Sequence, residues 1–472
     1  MKNFYVDMAR KLALQSAMHV YTDLGPAILS LANLLRRSGD FSEACTVYES
    51  LLDVPNMARE GLCGSAICLT EMFRLDEASD RLQRALRIDP RYSQALSQLA
   101  TVRYLQSNLD EAVTYYQRAL EMRPDNAGIH VNLSIARLKA GLFREGWEGY
   151  EWRWHLPESS CEQARRFNEP LWEGQSEPGL RILLCYEQGF GDTLQFVRYV
   201  SLIQELDLSV ILICELELRA LLKASFPDIK IISVGEVIPD FDFQCPLLSL
   251  PRVFDTALET ISANVPYLRA NDALVRRWRS RIQEQEGFKV GLVWAGERRK
   301  DASKAQIDSR RSVHFSLFEC LLDTPGCVFY SLQKGNAAAQ AKEASESGKL
   351  TDCTEQLTDF ADTAALIANL DLIISVDTSV AHLAGAMGKP VWLLSRFDGC
   401  WRWLVDREDS PWYPTMRIFR QASPADWGDV IVQVAEALQS EYLQRVRGRG
   451  ERSAHRKDGR CTTNSDKTNQ NP

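Results

Sequence analysis

The chain has 472 residues, of which 45% are hydrophobic and 25% charged, and its formal net charge is −8. This length predicts about three domains, and the composition is ordinary for globular proteins. The acidic balance disfavours a nucleic-acid-binding protein, because such proteins are usually basic. We find no run of about 18 apolar residues and therefore expect no transmembrane segment.

Twelve cysteines are spread along the chain, without a CxxC pair or a cysteine–histidine cluster at metal-ligand spacing. Reduced thiols in a cytoplasmic protein without a structural metal are the simpler interpretation. Charged residues interrupt the N-terminal stretch and exclude the apolar core of a signal peptide. These are Asp7, Arg10, Lys11 and Asp23.

A repeat of 34 residues dominates the first third of the chain. Two series of small residues follow this spacing: Ala44, Ala78, Ala112, Gly146; and Ala32, Ala66, Ala100, Ser134. Large apolar residues recur at the same interval, as in Phe41, Leu75, Leu109 and Phe143. Small residues allow two helices to approach closely, so the pattern predicts stacked helical hairpins over residues 1–158. Such arrays expose a concave surface, and we expect it to bind a protein or peptide partner.

Prolines and glycines then interrupt the repeat, and residues 159–180 are interpreted as a linker. Beyond it, short apolar runs alternate with amphipathic stretches, which predicts two doubly wound α/β lobes over 181–275 and 276–440. The predicted strands are RILLCY (181–186), SVILIC (209–214), KIISV (230–234), KVGLVWAG (289–296), CVFYSL (327–332), DLIISVD (371–377) and PVWLLS (390–395). Ligands are expected in the cleft between the carboxyl ends of the two sheets. Residues 441–472 are poor in hydrophobic residues and are predicted to be a disordered tail.

The first motif, GFGD, follows the first predicted strand and opens a helix. Gly189 and Gly191 permit a tight turn with outward-pointing amides. It is not a dinucleotide fingerprint, because Leu194 stands where the third glycine would be. Asp192 has two interpretations, an N-cap of the helix or a general base at the floor of the cleft.

The second motif, DTSVAHLAGAMGKP, reads as a strand end, a short helix and a glycine stop. Asp377, Thr378 and Ser379 lie at the strand end, where hydroxyls and free helix amides would seat a diphosphate without a metal. His382 follows in the first turn, as a ligand contact or as a packed core histidine.

A third group of polar residues follows two other strands. Arg298 belongs to a loop dense in Arg and Lys, which at a strand end would stabilise a leaving group or would simply be solvated. Gln333 and Lys334 follow the strand CVFYSL and are expected on the same side of the sheet.

Together with WRW (401–403), these motifs resemble bacterial tetratricopeptide-repeat proteins whose C-terminal domain is similar to ADP-heptose:lipopolysaccharide heptosyltransferases. The overall plan also resembles that of O-GlcNAc transferases, and the similarity covers about residues 25–430. The resemblance implies a two-lobed GT-B fold, with the acceptor on the first lobe and a nucleotide sugar on the second. It also implies inverting, metal-independent transfer of a sugar from a nucleotide-diphosphate sugar to an acceptor hydroxyl, without a further cofactor.

Carried over to this sequence, the resemblance makes Asp192 the base for the acceptor hydroxyl. The donor-contacting set that it implies is Gly189, Gly191, Arg298, Gln333, Lys334, Asp377, Thr378, Ser379 and His382. The chain departs from the pattern after Gly296, where Glu297 and Arg298 replace the usual Asn-Pro. That departure favours an alternative, a non-catalytic scaffold with a decayed transferase domain. A sugar-nucleotide epimerase would require a second carboxylate-rich site, which the sequence does not offer.

Overall fold

The computed structural model describes residues 21–156, 167–262, 264–282, 285–299 and 302–458. Residues 1–20 of the predicted repeat array lie outside these ranges, as do residues 459–472 of the predicted tail.

The first described range forms antiparallel helix pairs stacked side by side. The helices are α1 (Tyr21–Arg37), α2 (Phe41–Glu49), α3 (Ala58–Glu71), α4 (Leu75–Ile88), α5 (Ser93–Leu105), α6 (Leu109–Met122), α7 (Ala127–Lys139) and α8 (Phe143–Tyr150). Alanines of both small-residue series, such as Ala78 and Ala100, are fully buried where neighbouring helices touch. The 34-residue spacing thus predicted the stacked hairpins correctly.

The first α/β lobe of the chain contains a four-stranded parallel sheet in the order β3-β2-β1-β4. Its strands are β1 (Arg181–Cys185), β2 (Ser209–Cys214), β3 (Lys230–Ser233) and β4 (Phe243–Pro246). The helices between and after them are α9 (Phe190–Phe196), α10 (Tyr199–Gln204), α11 (Arg219–Ser225) and α12 (Leu250–Val253). β4 was not predicted, because its four residues at the sheet edge carry no clear apolar run.

A six-stranded parallel sheet follows, in the order β10-β9-β8-β5-β6-β7. Its strands are β5 (Phe288–Val293), β6 (Cys327–Ser331), β7 (Leu350–Asp352), β8 (Leu372–Val376), β9 (Val391–Ser395) and β10 (Met416–Arg420). The helices of this lobe are α13 (Asp272–Ile282), α14 (Ala302–Arg311), α15 (Glu319–Leu322), α16 (Lys342–Glu346), α17 (Phe360–Ala368), α18 (Ser379–Ala386) and α19 (Gly428–Asp458). The edge strands β7 and β10 were missed for the same reason as β4. The two doubly wound parallel sheets match the α/β architecture predicted from the sequence.

The repeat array packs directly on both lobes. Trp147 of α8 meets Trp401 of the second lobe edge-on, with ring centroids 5.1 Å apart. Leu138 and Phe143 share one hydrophobic core with strand β1. The described part of the predicted linker also packs, since Trp172 is buried and its N–H donates to the carbonyl of Gln244 at 2.8 Å.

The structure corrects the predicted disorder at the C-terminus. Helix α19 continues to Asp458, through the first part of the segment 441–472 for which the sequence predicted a disordered tail. The low apolar content misled the prediction, because Arg, Gln, Glu and Leu in this segment are good helix formers. No helix in the described ranges is both long enough and apolar enough to cross a membrane.

Candidate active site

Two helices, one from each lobe, meet at the carboxyl ends of the sheets. Helix α9 follows β1 and helix α18 follows β8, and they pack on each other. A Cβ on Gly191 would lie 3.0 Å from Cδ2 of His382, so a larger residue would require the His382 ring to shift. The glycine therefore brings the GFGD turn against the DTSVAH motif, as the two sequence motifs led us to expect.

Asp192 is not the N-cap that one interpretation proposed. Gly189 occupies the N-cap, and Asp192 stands three residues later, where its Oδ2 accepts the Gly189 N–H at 3.1 Å. Its other oxygen pairs with the guanidinium of Arg402 from the opposite lobe. Burial raises the pKa of the Asp192 carboxyl, while Arg402 opposes this rise. The carboxylate thus sits at the junction of the lobes, in a setting that makes it a stronger base than a solvated aspartate.

Arg402 is a site residue whose role sequence reasoning missed. Its guanidinium donates to Gln195 of α9 as well as to Asp192, and it lies 4.3 Å from the ring centroid of Trp401. Both acceptors belong to the first lobe, so Arg402 ties the lobes together across the cleft. The only sequence signal was the WRW motif, which gave no hint of the partner.

His382 is buried, and Nδ1 lies 2.9 Å from the hydroxyl of Tyr413. The ring stacks on Trp403 at 5.3 Å, and Nε2 lies 4.0 Å from Oδ1 of Asp377. Burial, followed by the charge of Arg402, lowers the pKa of His382 to about 3. His382 is therefore neutral at physiological pH and can exchange only hydrogen bonds there.

Thr378 and Ser379 stand at the start of α18, as predicted. Thr378 is the N-cap, and its hydroxyl lies 3.0 Å from that of Ser375. Both residues are partly exposed and lie at the carboxyl edge of the sheet. This arrangement suits an anion, since the amides of the first helical turn lack partners within the helix.

The arginine beside this helix is Arg311, not the predicted Arg298. Nη1 of Arg311 donates to the carbonyl of Asp377 at 3.1 Å. A Cβ on Gly296 would lie 2.5 Å from Cζ of Arg311, so the glycine makes room for the guanidinium. Arg298 is exposed and forms no hydrogen bond or ion pair with a described residue. Sequence reasoning could not separate them, because both stand in one basic loop.

Gln333 has no hydrogen-bonding capacity left for a ligand. Its Oε1 accepts the N–H groups of Trp294 and Ala295 at 3.0 and 2.8 Å. Its Nε2 donates to the carbonyls of Ala295 and Lys334 at 3.0 and 2.9 Å. Gln333 therefore holds the loop after β5, in place of the predicted donor contact. Lys334 is exposed and its ammonium donates to the carbonyl of Leu357.

Comparison with known proteins agrees with this plan. Residues 327–394 match the glycosyltransferase family 9 (heptosyltransferase) profile, and residues 27–58 and 57–125 match tetratricopeptide-repeat profiles. The chain carries a glycosyltransferase domain behind tetratricopeptide repeats. Protein FlbA of Caulobacter vibrioides is 26% identical, over 92% of this chain and 81% of its own length. The probable UDP-N-acetylglucosamine–peptide N-acetylglucosaminyltransferase SPINDLY of Arabidopsis thaliana is 33% identical, over 20% of this chain and 10% of its own.

Two solved structures are similar to the chain. The Thermobaculum terrenum O-GlcNAc transferase aligns with 91% of this chain and 94% of its own, at 15% identity and a TM-score of 0.32. ADP-heptose lps heptosyltransferase II of E. coli aligns with 56% of this chain and 99% of its own, at 14% identity and a TM-score of 0.41.

The transferase domain has a further carboxyl group that sequence reasoning did not single out. Glu215 directly follows strand β2, and the hydroxyl of Thr193 donates to its two oxygens at 3.0 and 3.1 Å. Burial raises the pKa of Glu215 to about 7. The sequence signal was its position directly after a strand of the first sheet, but only the apolar run of that strand was considered.

No group of three or more His, Cys, Asp or Glu in the described part of the chain has the arrangement of a metal site. Ten cysteines of these ranges carry free thiols.

Proposed function

We propose that the protein is an inverting, metal-independent glycosyltransferase that moves a sugar from a nucleotide-diphosphate sugar to an acceptor hydroxyl. The observation that carries this proposal is the meeting of Asp192 with the second lobe. The partly buried carboxylate of Asp192 on α9 lies across the cleft from the anion seat, formed by Thr378 and Ser379 at the start of α18. A base and a leaving-group site on opposite lobes are what direct displacement at a sugar requires.

In this mechanism Asp192 accepts the proton of the acceptor hydroxyl as the oxygen attacks the anomeric carbon. The bond from that carbon to the diphosphate oxygen breaks, and the configuration inverts. Arg402 orients the carboxylate and keeps it ionised until the acceptor arrives. The neutral ring of His382 would offer Nε2 to the donor sugar without adding charge.

The departing diphosphate gains negative charge, which the second lobe would stabilise without a metal. The amides of α18, the hydroxyls of Thr378 and Ser379, and the guanidinium of Arg311 surround one region. Fixed donors of this kind stabilise developing charge strongly, because they need no reorganisation. Lys334 would add a mobile cation from the neighbouring loop. The proposal has no role for a further cofactor.

We also propose that the repeat array recruits a protein acceptor or partner, in a cytoplasmic setting where the free thiols stay reduced. Helices α7 and α8, the last two of the array, contact the lobes, so an acceptor bound near them would be held close to the cleft.

A screen of nucleotide-diphosphate sugars by thermal shift would identify the donor, because a bound donor stabilises the folded state by mass action. Proton NMR of the transfer product should then show inverted anomeric configuration, and EDTA should leave the rate unchanged. Retained configuration or loss of activity in EDTA would contradict the proposal. Donor binding without transfer to any acceptor or water would instead support the scaffold alternative.

A further inference from the structure

Lys139, the last residue of α7, is buried in an unusual way. Its side chain is completely inaccessible to solvent, yet its ammonium has no hydrogen-bond partner. The nitrogen lies 4.5 Å from the ring centroid of Tyr104 on the neighbouring repeat. A buried ammonium is costly unless it is paired, so Lys139 points to a missing counter-charge.

The surroundings of Lys139 add more positive charge. It faces the segment after β9, and Asp398, Arg396 and Arg420 are its strongest charged neighbours. Arg310 of α14 enters the same region from another side and lies 4.9 Å from the ring centroid of Phe73, on the repeat array. Four cationic side chains therefore converge where the array covers the second lobe.

Carboxylates balance only part of this charge. Asp398 is buried and pairs with Arg396 at 3.0 Å and with Arg310 at 3.3 Å. Glu71 acts on Arg310 from the array side and is partly exposed, and Asp406, near Arg420, is exposed. Two arginines already share the one buried carboxylate. Burial lowers the pKa of Lys139 to about 8, and Asp398 opposes this fall.

We propose that the interface between the array and the second lobe, formed by Lys139, Arg310, Arg396 and Arg420 around Asp398, is a binding site for a phosphoryl group. Four cations surround one buried carboxylate, and a phosphoryl group would add close to two negative charges. Its oxygens also suit the planar donor fork of arginine.

This site is separate from the donor seat, the proposed diphosphate site formed by Thr378, Ser379 and Arg311. It does not depend on the proposed function. Arg310 and Arg311 are consecutive on α14, but they face different partners. Arg311 contacts Asp377 beside α18, whereas Arg310 contacts Asp398 and Phe73 under the array. The side chains of Arg310 and Arg396 keep 21% and 15% of their accessible surface, so this side of the site borders solvent.

The site joins two parts of the molecule, so its occupant should strengthen their contact. Lys139 comes from the array, and Arg396 comes from the second lobe. An anion that bonds to both would favour the docked arrangement by mass action. The phosphoryl group could come from free phosphate or from a phosphorylated acceptor, and the chemistry of recognition is the same.

The test is calorimetric titration of inorganic phosphate into the full chain. We expect one site in the wild type, an affinity at least tenfold weaker in Lys139→Met and in Arg396→Gln, and no change in Lys349→Met. Lys349 is an exposed lysine paired with Asp323 and serves as the matched control. The double variant Thr378→Ala with Ser379→Ala should retain the site, because those residues belong to the donor seat.

Melting curves give a second readout that does not depend on titration. Lys139→Met should melt higher than the wild type in phosphate-free buffer, because it removes an unpaired buried charge. Adding phosphate should raise the melting temperature of the wild type by a few degrees and leave that of the variant unchanged.

Three results would overturn the proposal. They are absence of phosphate binding to the wild type at millimolar concentration, unchanged affinity in both Lys139→Met and Arg396→Gln, and loss of the site in the Thr378–Ser379 double variant. N-acetyl-phosphoserine amide distinguishes the sources. Binding comparable to phosphate indicates a phosphorylated macromolecule, and exclusion indicates free phosphate.

Discussion

Arg153 at the end of the repeat array forms a two-pronged ion pair with Glu187, in the loop between β1 and α9. Nε and Nη2 of the arginine lie 2.9 and 3.0 Å from the two carboxylate oxygens, and both side chains are almost inaccessible to solvent. Glu187 also accepts the N–H of Leu248 at 3.2 Å. The loop that presents Asp192 is therefore anchored to the array as well as to its own sheet, and the last repeat is part of the transferase structure.

Removing this arginine should destabilise the whole chain. Arg153→Met leaves the buried carboxylate of Glu187 without its counter-ion, and we expect a loss of about 3–5 kcal/mol in the free energy of unfolding. Denaturant unfolding followed by circular dichroism measures it. Arg74→Met, which breaks the exposed Arg74–Glu77 pair, is the control and should leave stability unchanged. Equal behaviour of the two variants would refute the anchoring role.

Asp192→Asn should slow sugar transfer by about 10²–10⁴-fold, because an amide cannot accept the acceptor proton. The variant also leaves Arg402 with a neutral partner. A lower melting temperature is therefore expected as well. Donor binding, measured by calorimetry at a temperature where the variant is folded, should persist. Turnover within a few-fold of wild type would show that another group is the base.

The pH dependence of stability should report on Glu215. Its pKa rises from about 4.3 in an unfolded chain to about 7 in the folded protein. The folded state therefore holds the proton more tightly, and this stabilisation is full below about pH 4 and disappears as the pH rises through about 7. Glu215→Gln should remove a pH-dependent loss of roughly 2–3 kcal/mol between pH 4 and pH 8. Urea unfolding at several pH values tests this, and an unchanged profile in the variant would contradict it.

The donor seat can be tested with two arginines of the segment between β5 and β6. Arg311→Gln, or Thr378→Ala combined with Ser379→Ala, should weaken binding of a nucleoside diphosphate by about tenfold or more, since each removes donors to the anion. Arg298→Gln should bind as the wild type does, because its side chain is exposed and forms no hydrogen bond with a described residue of the seat. Calorimetry compares them. The opposite order of effects would restore the assignment made from sequence.

The close helix contacts of the array predict a cost for overpacking. Ala112 is fully buried between helices, and Ala112→Trp should lower the free energy of unfolding by about 1–3 kcal/mol or more. Gln117→Trp, at an exposed position on the same helix, is the matched control and should have little effect. Melts followed by circular dichroism provide the comparison. A tolerated tryptophan at position 112 would be incompatible with the repeat packing.

The sequence alone determined the architecture of repeated hairpins and two parallel sheets, and placed Asp192, Thr378 and Ser379 at the carboxyl edges of strands. These features follow from periodicities of a few residues, which backbone geometry imposes locally. Short edge strands such as Phe243–Pro246 were missed because four residues carry too little pattern.

Only the tertiary structure decided which side chains meet. Asp192 pairs with Arg402, and Lys139 faces Asp398, across more than two hundred residues of sequence. In the folded chain the side-chain amide of Gln333 bonds to the protein itself, and Arg311 rather than Arg298 bonds to Asp377. Charges and hydrogen-bonding groups of one type look alike in a sequence, and their roles depend on burial and on partners brought by other elements.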